Sequence, residues 1–401
     1  MRVCGIVAEY NPFHNGHQYH LEETREKLKA DVIIVVMSGD FLQRGEPAIV
    51  DKWSRARAAL MNGADMVVEL PTDFSVQPAD FFAEGAVSIL NSLGCDLISF
   101  GSEDGNSQAF REAADLYIEN EAELDDLFKQ AHQQEKTYAR NFSDVINTYF
   151  DQFPLDLTQP NNMLGFAYAK EIRRNRYDMA IETIPRKNSH YHDHELDSSF
   201  NIASATAIRR TLLEKRQPCT AVESFVPAEM YDALNSQPLI SWEDLFLLLD
   251  YRLSVMSIEE LSQIYLMETG LEYRLKEKIS DAVSMREFIE AVKTKQLTWV
   301  SLQRICCHIL MNNTKQNMIM SEKEIEAVRL LGFTEAGRDY IGRHKKEWSV
   351  NLVSNLHKRT AVNFEQDIKA GHIYRLADKE RIRQQDFYTK PINFIDINTL
   401  N

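Results

Sequence analysis

Residues Glu9 to Leu21 read EYNPFHNGHQYHL, and the role of this stretch decides the fold. Three histidines, two asparagines and a glycine follow directly on the apolar run Val3–Ala8 (VCGIVA) and lead into a helical pattern from His17 to Ala30. In an open α/β sheet, ligands lie beyond the carboxyl ends of the strands, where loops enter helix N-termini. Gly16 lets the backbone approach a ligand, and the N–H groups after it face an anion. His14 and His17 are then ring N–H donors to phosphate oxygens, placed to offset charge that builds up in phosphoryl transfer. Two other readings stand beside this one, a metal site and a plain polar turn. A metal would want a further carboxylate or histidine, and here His14 and His17 sit across a glycine turn, not one helical turn apart. The string GxxxxGK[ST] does not occur, which argues against a P-loop.

The surroundings fit that loop. Val3–Ala8, Asp31–Ser38 (DVIIVVMS), Asp65–Leu70 (DMVVEL) and Cys95–Phe100 (CDLISF) are short β-rich apolar runs, as in strands buried on both faces. Helical patterns separate them at His17–Ala30, Lys52–Asn62 and Asp80–Leu93. Two of these end alike, in NGAD and LGCD, where the glycine closes the helix and the aspartate begins the next strand. The alternation predicts βαβ units in a Rossmann-like, doubly wound parallel sheet. Residues 106–150 read as helices, Met179–Pro185 as a further strand and Ser204–Arg216 as the helix after it. Beyond about residue 220 the strand signal fades, so the sequence predicts an α/β domain over 1–225 and an all-helical domain over 226–401.

Composition bounds the function. The chain has 401 residues, 44% hydrophobic and 26% charged, as in soluble globular proteins. It shows neither a membrane-length apolar run nor a cleavable leader. Five cysteines without CxxC spacing suit a reducing, cytoplasmic setting. A net charge of −15 argues against a non-specific nucleic-acid coat, yet residues 329–401 carry 13 Lys/Arg against 9 Asp/Glu. That end either meets a polyanion or is a solvated helical surface.

A second anion site is legible in SATAIRR, where Ser204 is a candidate N-cap with Thr206 and Arg209 in the following turns. By itself it is equally an ordinary cap. Strand–HxGH–helix is the signature of the nucleotidylyltransferase group, and IVAEYNPFHNGHQYHL is similar to its bacterial tRNA(Met) cytidine acetate ligase branch. MSGDFLQRGEPAIVDKWSRARAAL, GSE at Gly101–Glu103, PNNMLGFAY, SATAIR and LLGFTEAGR extend the resemblance along most of the chain, in order.

The resemblance implies ATP, with Mg²⁺ on its triphosphate, as co-substrate. It also implies acetate activation to acetyl-adenylate, then transfer to N4 of the wobble cytidine in the anticodon arm of elongator tRNA(Met). The implied nucleotide-binding residues are Val7, Ala8, Glu9, Tyr10, Asn11, Pro12, Phe13, His14, Asn15, Gly16, His17, Gln18, Tyr19, His20, Gly101, Asn162, Ser204, Thr206 and Arg209. Arg186 and Lys187, at the next ligand-facing edge, join them as phosphate contacts or as a merely solvated pair. Gly101 also reads as a strand-exit turn, and Asn162 as a helix cap. Asp40 is a candidate to orient an amine, and Lys52 or Arg44 to neutralise a carboxylate or pyrophosphate. Arg304, Arg338, Lys345 and Lys346 are candidate RNA contacts or ordinary surface charges. RKNSHYHDHE, residues 186–195, is read as a mobile loop over ATP or RNA, with a metal cluster the rival reading. A small-molecule adenylyltransferase and a non-catalytic ATP- or RNA-binding protein are the competing functions.

Overall fold

The computed structural model describes residues 1–103, 105–131, 138–185, 196, 201–320, 323–378 and 385–394. Five parallel strands form the frame: β1 (Val3–Ala8), β2 (Val32–Ser38), β3 (Met66–Leu70), β4 (Leu97–Ser102) and β5 (Ala180–Pro185). They lie in the order β5-β4-β1-β2-β3. All seven residues of β2 are buried. Val32, Ile34 and Val36 face one core, and Ile33, Val35 and Met37 face the other, which is why the strand reads as a continuous apolar run. The chain winds outward from β1 through β2 to β3, then returns to place β4 on the far side of β1. The crevice therefore opens between the carboxyl ends of β1 and β4.

The repeated endings NGAD and LGCD have a common mechanism. Gly63 (φ 114°) and Gly94 (φ 78°) take left-handed conformations that close the preceding helices. The next aspartates then cap neighbouring strands: Asp65 accepts from the Ile33 N–H at 2.8 Å, and Asp96 from the Val3 N–H at 2.6 Å. Helices α1 (Asn15–Lys27) and α2 (Lys52–Met61) follow β1 and β2, and residues Ala79–Ser92, Ser107–Glu119 and Pro160–Asn175 form further helices of this α/β unit.

The C-terminal part departs from the all-helical expectation. Residues from Trp242 to Met311 do form a helical unit with its own core, into which Phe41, Leu42 and Ala48 project from the segment after β2. The chain then returns to the sheet. β6 (Ala327–Phe333) runs antiparallel to β3, and β7 (Asn351–Val353) and β8 (Ile392–Asn393) each pair in parallel with β6. AVRLLGF is a seven-residue run, apolar apart from Arg329, and too short for periodicity to separate strand from helix. The helix Ala228–Ser236 likewise packs in the core beneath the sheet, through Met230, Ala233 and Leu234. A division at 225/226 thus cuts through one core. Among the described residues, no helix is long and apolar enough to cross a membrane.

Candidate active site

A cleft of about 570 Å³ opens where β1 and β4 diverge, lined by the HxGH segment and the ends of β1, β4 and β5. His14 is the N-cap of α1. Its Nδ1 accepts from the Gly16 N–H at 3.0 Å, and the His17 Nδ1 accepts from the His14 N–H at 3.2 Å. A ring nitrogen that accepts carries no proton, so in both neutral imidazoles the proton is on Nε2, which makes Nε2 the donor. The rings stack 3.7 Å apart, with 25° between planes, and the edge of Tyr10 meets His17 at 4.8 Å. Gly16 makes room for the His14 ring: a Cβ there would lie 2.9 Å from His14 Cε1.

Other members of the loop build its shape. Asn11 Oδ1 accepts from the Ile49 N–H at 2.8 Å, and Arg209 donates to the Asn11 carbonyl at 2.7 Å while pairing with Glu46 at 3.1 Å. Asn15 donates to the carbonyls of Asn201 and Ser224, joining the loop to the segments on either side of SATAIR. Phe13 is fully buried, and His20 bonds Ser99 of β4 at 2.9 Å. Burial pushes the Glu9 carboxyl above its ordinary range, opposed by the Gln43 N–H that donates to it at 2.6 Å.

Of the expected nucleotide residues, Val7, Ala8, Glu9, Tyr10, Asn11, His14, Gly16, His17, Tyr19, His20, Gly101 and Arg209 line the cleft. Pro12, Phe13, Asn15, Gln18, Ser204 and Thr206 stand behind or beside that lining. Ser204 caps its helix by accepting from the Ala207 N–H, and Thr206 is exposed. Asn162 is buried inside the helix Pro160–Asn175, whose N-cap is Gln159, and donates to the Asp156 carbonyl at 3.2 Å, so it is not the cap, while its neighbour Asn161 faces the cleft. The helix Pro160–Asn175 lies close against β4 because Gly165 has no side chain: a Cβ would stand 2.3 Å from Phe100. That approach brings Leu164 and Tyr168 into the lining, an apolar wall the sequence reading missed. Arg186, Lys187 and the rest of 186–195 lie outside the described residues. Among the described residues, no group of three or more His, Cys, Asp or Glu is placed to hold a metal.

Asp40 and Lys52 do not line the cleft. Lys52, at the first position of α2, is 1% exposed and reaches Glu69 and Asp386 at 2.7 Å and Asp40 at 3.3 Å. Arg329 of β6 pairs with the same Asp386 and covers the Trp53 ring at 4.8 Å. Burial, with repulsion from Asp386 and Glu69, pushes the Asp40 carboxyl up to about 6 against the pull of Lys52. These charges lock the C-terminal segment to the sheet, a pairing across more than 300 positions that no local pattern announces.

The residue that shapes this end of the cleft is Arg55, which the sequence reading passed over inside an apparently ordinary helix. Its fully buried guanidinium donates to the carbonyls of Glu9 (2.7 Å), Ser38 (2.9 Å), Val50 (3.2 Å) and Gly39. It thereby ties the segments after β1 and β2 to the start of α2. The basic residues offered for RNA are also redistributed. Arg304 turns inward and donates to the Gln43 carbonyl at 2.6 Å. Arg338, Lys345 and Lys346 are exposed but lie on or just beyond the helix Glu335–His344, whose Tyr340 hydroxyl bonds the Leu93 carbonyl. That helix packs at the amino edge of the sheet, opposite the cleft.

The chain matches the family described as HIGH Nucleotidyl Transferase over residues 1–389. The tRNA(Met) cytidine acetate ligase of Anoxybacillus flavithermus is 44% identical over 382 residues, spanning 93% of this chain and 94% of that protein. The Bacillus subtilis protein of the same name is 40% identical over 410 residues, spanning 98% of each. Among solved structures, apo Thermotoga maritima TmcAL superposes with a TM-score of 0.89 at 29% identity, covering 98% of this chain and 99% of that one. A form of it bound with alpha-thio ATP gives 0.88 at the same identity and coverage. With its HxGH pair at the switch point and this likeness along its length, the chain belongs to the HIGH nucleotidyl transferase family and, within it, to the tRNA(Met) cytidine acetate ligases.

Proposed function

We propose that the protein joins acetate to elongator tRNA(Met) at the expense of ATP, forming N4-acetylcytidine at the wobble position. The observation that carries the chemistry is the stacked His14–His17 pair, whose Nδ1 atoms accept backbone N–H groups so that Nε2 is the donor on each ring. Phosphate oxygens need such donors in a site that requires no reorganisation during reaction. An acetate oxygen attacks the α-phosphorus, the bond to the bridging oxygen breaks, and pyrophosphate leaves with the electron pair. The cytidine N4 amine then attacks the acetyl carbon, AMP leaves, and N4 gives up one proton. Phe100, Leu164 and Tyr168 give the cleft an apolar wall suited to the adenine face.

Mg²⁺ is expected on the triphosphate oxygens. Glu9 is the only carboxylate in the described lining, and it accepts the Gln43 N–H, so the described lining offers no cage for the ion. On this proposal the anticodon arm lies across the mouth of the cleft, a reading supported by the helical unit that abuts the segment after β2. The reaction belongs in the cytoplasm, where five free cysteines stay reduced.

The test is incubation with ATP, radiolabelled acetate and total bacterial tRNA, then digestion to nucleosides, with His17→Ala in parallel. Label in N4-acetylcytidine from the wild type alone is expected. ATP consumption without labelled RNA would favour a small-molecule adenylyltransferase, and no turnover a binding protein.

A further inference from the structure

The helical unit holds three successive backbone carbonyls at the tip of the segment after β2. Arg304 Nε donates to the Gln43 carbonyl at 2.6 Å. The Gln303 amide, oriented so that its oxygen accepts from Trp299 Nε1, donates to the Arg44 carbonyl at 3.2 Å. Trp242 Nε1 donates to the Gly45 carbonyl at 2.7 Å, and the Cys307 thiol approaches the same oxygen at 3.4 Å. Gly45 is required twice over. Its φ is +70°, and a Cβ would lie 2.4 Å from the Arg304 backbone nitrogen. On the opposite side, the Gln43 N–H is held by Glu9, the residue directly after β1.

A tip fixed from both sides is costly unless its position matters. Gln43 and Arg44 are the residues of this tip that line the cleft. The Arg304 guanidinium is lowered to about 10 by burial, with Glu9 opposing that shift and Arg44 adding to it. A half-buried cation spent on one neutral carbonyl stabilises little by itself. Its effect is to fix where the neighbouring Arg44 stands. A guanidinium on a fixed base meets a carboxylate or phosphate in one geometry, whereas one on a loose turn must be ordered at each encounter.

We propose that the helical unit sets the 43–45 tip so that Arg44 meets the oxyanions of the activation step, with Arg304 as the positioning residue. This rests on the acetate-activation reading above. It makes the helical unit part of the adenylation machinery, and not only a platform for RNA.

The test uses the full chain without RNA, following acetate-dependent exchange of labelled pyrophosphate into ATP in wild type, R44A, R304A, R304K and R44A/R304A. Expected is a fall in kcat of about tenfold or more in R304A, with tRNA affinity by filter binding within about twofold, because a positioning group acts on orientation. R304K, which keeps a donor for the Gln43 carbonyl, recovers part of the loss. The double variant loses no more than R44A, because Arg304 acts through Arg44. Unchanged exchange in R304A, losses that multiply in the double variant, or a fall in tRNA affinity in place of exchange would each overturn the proposal. If R304A does not fold, the comparison of R304K with R44A/R304K carries the same cycle. No exchange in the wild type would count against acetate activation itself. The tip is then read by hydrogen exchange at residues 43–46, faster in R304K than in wild type if Arg304 holds it and unchanged if it does not.

Discussion

At the scale of single residues, the chemistry comes from where hydrogen bonds leave their protons. His14 and His17 each accept a backbone N–H at Nδ1, so the helix start itself selects the tautomer that donates from Nε2. Replacing His17 by alanine removes one donor and also the acceptor of the His14 N–H. The expected loss is about 100-fold or more in pyrophosphate formation, the size seen when a preorganised donor is deleted, measured under saturating ATP. His17→Asn, which keeps an amide donor, loses less. Asp367 offers a second residue-scale test. Burial, and then the nearby Glu69, push its carboxyl from 3.8 up to about 8, although it accepts the Thr72 N–H and hydroxyl at 2.7 and 2.8 Å. The folded protein therefore binds a proton that the unfolded chain releases. Its contribution is intact below the unfolded value and is lost as pH rises from 3.8 to about 8. Asp367→Asn mimics the protonated acid, so its urea midpoint is expected to fall less than that of the wild type between mildly acidic and mildly alkaline buffer.

At the scale of elements, α2 does the assembling. Its first residue, Lys52, draws together Glu69, Asp40 and Asp386, and its fourth, Arg55, gathers carbonyls from two loops and its own start. Arg55→Met leaves these carbonyls without their donor and is expected to cost about 3–5 kcal/mol in urea unfolding, the range for breaking a buried charged network. Adenylation should fall with it even at temperatures where the variant stays folded, because Glu9 and Gly39 both lose their tether. The sequence KWSRARAAL shows a helix with a good cap at Asp51, and the cap is there, accepting from the Ser54 N–H at 2.7 Å. It does not show that Lys52 and Arg55 of this helix face inward while Arg57 faces solvent. An arginine on an amphipathic pattern is ordinarily a surface residue, and only the convergence of carbonyls from the segments after β1 and β2 makes a buried one stable.

At the scale of the whole molecule, the last eighty residues complete the first domain. β6 pairs with β3, whose five residues are all buried, and Arg329 of β6 enters the charge cluster around Lys52. A chain ending at residue 225 would present β3 as an open apolar edge and leave Lys52 without Asp386. It is expected to aggregate or to melt without a cooperative transition, by size-exclusion chromatography and circular dichroism, whereas the full chain elutes as a folded species. Independent folding of 1–225 would show that β6 is an accessory and not a structural strand.

What the sequence determined alone is the local part of this design. The apolar runs marked β1 to β5 to within two residues, NGAD and LGCD marked helix closures, and EYNPFHNGHQYHL at the end of β1 marked the cleft, because each depends on contacts within a few positions. What only the tertiary structure decided is which charges turn inward. Lys52, Arg55 and Arg304 look alike in the chain to residues that face solvent. Their partners, Asp386, the Glu9 carbonyl and the Gln43 carbonyl, lie from 46 to more than 300 positions away. A buried charge is stable only where such distant acceptors converge, and that convergence exists only once the sheet, its returning strand and the helical unit are assembled.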